Sequence, residues 1–149
     1  MTFTLMSPAF ADGAGIPVRF TGDDMNLSPP LAWSGAPAET KSYVLVVEDP
    51  DAPAGNFEHW GVANLTGTGL EEGAGAADTP DQARNGFGHL HYDGPAPPKQ
   101  HGVHHYHFRL AALSIPRIEI ETVGVGELWQ LAQQHMLAET ELIGTYERL

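Results

Sequence analysis

Apolar residues bunch most densely in Ser42–Glu48, where Tyr43, Val44, Leu45, Val46 and Val47 follow one another without a polar break. A short run of this kind, rich in β-branched residues, predicts a strand covered on both faces. Further strands are predicted at Thr2–Met6, Pro17–Phe20, His59–Leu65, Val103–Leu113, Arg117–Glu121 and Leu142–Glu147. So many short strands with turns between them predict a mainly β protein, a β-sandwich of antiparallel-rich sheets. One helix is predicted in the C-terminal half, from about Gly126 to Ala138, because Leu128, Leu131, Ala132 and His135 recur at helical spacing. Glu127 near its start suits the helix dipole. On that stripe His135 reads as a hydrogen-bonded core histidine.

From Thr66 to Gly102 the apolar periodicity lapses, and Gly, Pro and Asp dominate. A connection that long within a compact domain is either a functional loop or a disordered insert. The histidines and the Pro cluster in its second half favour a functional loop, with disorder as the rival reading for residues 72–85.

With 149 residues and no repeat or linker, residues 1–149 are expected to form one domain. The absence of cysteine removes disulfides, thiolate metal sites and Cys nucleophiles. A net charge of −12 disfavours nucleic acid and anionic membrane surfaces. The opening MTFTLMSPAF lacks the basic and apolar regions of an export signal, and no apolar run is long enough for a stable membrane insertion, so a cytoplasmic location is expected.

Six of the eight histidines fall between residues 89 and 107. On a strand through this region His104, Tyr106 and Phe108 share one face and His105 and His107 the other. Two His-x-His pairs, at 89/91 and 105/107, have the spacing of a cupin-like metal site, whereas His105 and His107 could equally be solvated outer-face residues. Asp49-Pro50-Asp51-Ala52-Pro53 carries two carboxylates on a stiff turn at the end of the best strand. His59-Trp60 opens the following strand, so a hairpin would bring His59 beside Asp49. Tyr92-Asp93-Gly94-Pro95-Ala96-Pro97-Pro98 is a stiff loop whose backbone, at Ala96 for example, a small anion could approach. There is no GxSxG elbow, no phosphate-binding P-loop and no dinucleotide fingerprint.

The segments SPPLAWSGAPAETKSYVLVVEDPDAP, HWGVANL, YDGPAPP, GVHHYHFRLAAL and LAETELIGTYER, in this order, resemble the phosphatidylethanolamine-binding protein family, which includes the Raf kinase inhibitor proteins, and most closely its short bacterial branch. The resemblance implies a β-sandwich with an anion pocket at one end. It assigns ligand binding to Asp49, Asp51, Pro53, His59, Ala96, Pro97, His104 and Tyr106. Two positions depart from the family's pattern: Ala96 replaces a residue that is larger or polar in some relatives, and His105 stands where Arg is expected.

The expectation is a noncatalytic protein without cofactor or metal that binds phosphate or a phosphorylated head group. His59 and His104 would donate to the oxyanion, with Asp49 and Asp51 favouring their charged forms, and Tyr106 and Trp60 would wall the pocket. A kinase or protease is the protein partner such a family implies, and a homodimer is compatible with it. The rival reading is a metalloprotein or hydrolase built on the same His/Asp cluster.

Overall fold

The computed structural model describes residues 2–121 and 123–149. Its elements are β1 (Thr4–Met6), β2 (Leu31–Ser34), β3 (Ser42–Asp49), β4 (Phe57–Leu65), β5 (Gly69–Leu70), β6 (His104–Leu113), α1 (Val125–Gln133) and β7 (Met136–Tyr146). A small sheet, β1-β2-β5, faces a larger one of order β4-β3-β6-β7, and both are antiparallel throughout.

The β3 run is covered on both faces, as its composition predicts. Leu45 and Val47 point between the sheets, where they meet Trp33, Trp60, Tyr106, Phe108 and Leu110. Val44 and Val46 point the other way and lie beneath α1, against Val125, Leu128, Trp129 and Ala132. The fold is therefore a sandwich with one helix on its outer face, and all four residues are essentially sealed from solvent.

Several boundaries differ from the pattern's prediction. Residues Val18–Phe20 form a single 3-10 turn, closed by the amides of Phe20 and Thr21 on the carbonyls of Pro17 and Val18, instead of a strand. Arg117–Glu121 is not a strand either: the backbone N–H and C=O of Ile118 are both satisfied by the Asn64 side chain at a bulge in β4. The helix stops at Gln133, so His135 lies in the turn that follows, half-buried and outside the core. β7 begins at Met136, six residues before the predicted start, because Met136–Leu142 pairs with β6 along its full length. β2 and β5 went unpredicted, each too short for a periodic signal between its Pro and Gly neighbours.

The long Gly/Pro connection carries backbone order. The amides of Ala63 and Ala83 bond the carbonyls of Asp81 and Gly61, which lays residues 81–85 along the outer edge of β4. No helix among the described residues is long and apolar enough to cross a membrane.

Candidate functional site

Asp49, last residue of β3, shares the inward face with Leu45 and Val47 and so ends buried at one tip of the sandwich. β6 is its neighbour, and alternation sends His104 and Tyr106 to the same face. His104 Nδ1 donates to Asp49 Oδ2 at 2.6 Å, with both side chains at least 96% buried. The other ring nitrogen of His104 meets His101 Nδ1 at 2.6 Å, so one hydrogen is shared between the two imidazoles. Asp49 Oδ1 accepts the Asp51 amide at 2.8 Å, which fixes the turn.

His59 arrives from the other side. β3 and β4 form the expected hairpin, with Asp49 opposite Phe57, but its register shifts between Val47–Trp60 and Glu48–Glu58. The residue left over is His59, and such a bulge re-aims a side chain. His59 does not bond Asp49. Its Nδ1 donates to the Asp93 carbonyl at 2.7 Å, while Nε2 has no hydrogen-bond partner among the described residues. Burial pushes its pKa down, outweighing the opposing pull of the Asp93 carbonyl and the Asp49 and Asp93 charges. Burial thus favours the neutral imidazole in the ligand-free chain.

Tyr106 stacks edge-on against His59, ring centroids 5.2 Å apart. Its hydroxyl is buried and makes no hydrogen bond of acceptable geometry. Burial first, then the nearby Asp49 charge, pushes the phenol pKa far above its usual value, so it remains a donor.

These groups floor a cleft of about 130 Å³ walled by Phe57, Phe87, Ala52 and Pro53 and rimmed by Ala96, Pro97 and Pro98. The rim is fixed from behind: Gly94 N–H donates to Asn26 Oδ1 at 2.7 Å, and Gly22 N–H to the Pro95 carbonyl at 2.8 Å. No Lys or Arg lines the cleft.

Of the residues assigned from the sequence, Asp49, Pro53, His59, Ala96, Pro97, His104 and Tyr106 line one cavity. Asp51 does not. Its carboxylate turns outward and accepts both the backbone amide and Nδ1 of His105, at 2.8 and 2.7 Å. Trp60 is a core residue whose indole donates to Gln82. The two His-x-His pairs do not converge on one cavity: His105 and His107 lie on the outer face of β6, beside Asp51 and Glu141, while His89 and His91 lie in the loop beside Asp93. The sequence reading did not single out His101, Phe57, Phe87 or the Asp93 carbonyl; only the crowding of histidines near 101 carried a signal.

Residues 6–147 match the sequence profile of the phosphatidylethanolamine-binding protein family. The chain belongs to this family. It is 43% identical over 151 residues to a UPF0098 protein of Methanothermobacter thermautotrophicus, covering 97% of this chain and 98% of the relative. A UPF0098 protein of Pyrococcus horikoshii is 39% identical over 150 residues, covering 96% of this chain and 76% of that one. Among solved structures, E. coli YbcL, described as a member of the mammalian family, superposes with a TM-score of 0.92 at 30% identity, over 100% of both chains. The Chlamydia trachomatis homologue CT736 gives a TM-score of 0.89 at 36% identity, over 99% of each chain.

Proposed function

We propose that this member of the phosphatidylethanolamine-binding protein family binds, without transforming it, a small phosphorylated ligand or phosphate itself, held as a monoanion that still carries one proton. The observation that carries this reading is the unpaired Tyr106 hydroxyl, buried at the floor of the cleft beside the partnerless Nε2 of His59. An unsatisfied buried hydroxyl is a standing penalty of about 1–3 kcal/mol unless a ligand supplies its partner. Tyr106 donates to an ionised oxygen of the ligand. A neutral His59 whose Nδ1 hydrogen is already given to Asp93 has only a lone pair left, so the ligand must donate to it. A P–OH group does this, and an adjacent P–O⁻ takes the phenol hydrogen.

The cleft is smaller than the roughly 300–1,000 Å³ of drug-sized pockets, which suits a head group and not an acyl chain. His104 acts through the Asp49–His104–His101 chain, as a positioning residue and not as a direct donor.

Calorimetry with phosphate and sulfate near neutral pH tests this. Sulfate has the same shape but no hydrogen to give, so phosphate should bind at least about tenfold more tightly, the scale of one hydrogen bond involving a charged group. His59→Ala should remove that preference. Equal affinity for the two anions, or binding of neither, would overturn the reading.

A further inference from the structure

Outside the cleft, one trio of ligand-type side chains among the described residues brings its donor atoms within 4.8 Å of one another: His89, His91 and Asp93. None of the three lines the cleft. They occupy alternate positions of His89-Leu90-His91-Tyr92-Asp93, and both imidazoles turn Nδ1 toward one carboxylate oxygen. His89 Nδ1 stands 2.8 Å from Asp93 Oδ2 and His91 Nδ1 3.6 Å from it. Two ligands on a tetrahedral zinc ion, with arms of about 2.0–2.1 Å, lie about 3.3 Å apart. The two observed separations bracket that value.

In the metal-free chain His89 Nδ1 pairs with Asp93 and His91 Nδ1 donates to the Tyr92 carbonyl at 3.0 Å, contacts that an incoming ion would replace. The two rings stack with centroids 4.6 Å apart and planes 24° from parallel, with both Nδ1 atoms near Asp93 Oδ2.

The loop bearing them is also built for constancy of shape. Asn85, 5% exposed, uses its amide nitrogen on the Asp93 Oδ2, at 2.7 Å, and on the carbonyls of His91 and His59. Its oxygen accepts the backbone amides of Phe87 and His89. One buried side chain thus fixes the backbone at 87, 89 and 91 and orients the carboxylate, the role that outer partners play around metal ligands. His89 is half-exposed, which leaves an ion a way in.

We propose that His89, His91 and Asp93 form a binding site for one divalent transition-metal cation of the zinc type. Two imidazoles and a single carboxylate match the donor preference of such ions, whereas calcium and magnesium require mostly oxygen ligands. On binding, the ring hydrogens that Nδ1 gives to Asp93 and to the Tyr92 carbonyl move to Nε2, the ion takes the Nδ1 lone pairs, and water completes the coordination.

The test uses the full chain, stripped of metal, titrated with Zn²⁺ by calorimetry and with Co²⁺ by visible absorbance. One equivalent should bind. His89→Ala, His91→Ala and Asp93→Asn should each weaken Zn²⁺ binding at least about tenfold. The double variant His105→Ala/His107→Ala should bind as the parent does, and Ca²⁺ or Mg²⁺ in large excess should not compete. Melting curves without metal check that the variants fold; His89, on the surface, is the safest of them. Binding unchanged in both His89→Ala and His91→Ala, or lost only in the 105/107 variant, would overturn the proposal.

Discussion

At Tyr106 stability and ligand binding pull in opposite directions, which makes the residue a sharp probe. Its hydroxyl makes no well-formed hydrogen bond among the described residues, only an approach to Asp49, so Tyr106→Phe removes a poorly satisfied buried polar group and leaves the ring's packing against His59 intact. Chemical denaturation of the ligand-free protein should show stability unchanged or raised by about 1 kcal/mol. Phosphate affinity should fall by about tenfold or more, because a hydrogen bond to a charged oxygen is lost. A variant that is less stable and binds equally well would mark Tyr106 as an ordinary core residue. The facing of Tyr106 and His104 was legible in the sequence, since period-two alternation is all it requires. The aim of His59 was not, because it depends on a bulge that shifts the register of β4 by one residue. Nor was the outward turn of Asp51, which is set by the His105 amide on the neighbouring strand β6.

Between elements, what shapes the cleft is how the rim loop seats on the segment around residues 20–26. Gly94 sits so tightly there that a Cβ would stand 2.2 Å from the Phe20 carbonyl oxygen and 3.0 Å from Thr21 Cα. Backbone cannot yield as a flexible side chain does, so Gly94→Ala must lift residues 94–98 away and break the Gly94–Asn26 hydrogen bond. The expected result is a loss of about 1–3 kcal/mol of stability, the range for overpacking, together with weakened phosphate binding. Gly102→Ala is the contrasting control: its φ of +93° makes the substitution strained, but nothing lies near its Cβ, so any effect there comes from backbone conformation alone. Binding by Gly94→Ala equal to that of the parent would show that the rim's position does not govern the cleft. This seating is a tertiary property, invisible to local pattern. The same holds for β7: Met136, Leu137, Ala138 and Glu139 are good helix formers, yet an open place beside β6 draws them into the sheet. The in–out alternation from Met136 to Leu142 shows only in the structure, because Met136-Leu137-Ala138 is an apolar run followed by polar Glu139-Thr140-Glu141, and the helix predicted to Ala138 overlaps its start.

For the molecule as a whole, an excess of acid makes each ion pair that ties distant segments a sensor of pH. Asp23 reaches across to the C-terminal end, where its carboxylate accepts from the Arg148 guanidinium at 2.6 Å and from the Tyr146 hydroxyl at 2.7 Å. The Arg148 hydrogen bond, followed by that of Tyr146, holds the Asp23 pKa below the usual carboxylate value. Asp51 is depressed in the same sense by His105. A carboxylate with a lowered folded-state pKa binds fewer protons folded than unfolded, so it stabilises the fold above the ordinary Asp pKa, near 3.9, and this contribution drains away as pH falls through the depressed value. Asp23→Asn keeps the size of the side chain and removes the charge. Its melting temperature should lie below the parent's at neutral pH, and the gap should close as pH is lowered toward about 3. Because both partners are partly exposed, added salt should narrow the neutral-pH gap as well. Melting curves across pH and salt for the parent, Asp23→Asn and Asp51→Asn decide the point. A gap independent of pH would mean that the hydrogen bonds at the C-terminal end stabilise through geometry alone, and that the Asp23 charge adds nothing to holding residues 146–148 against the segment that also seats the rim of the cleft.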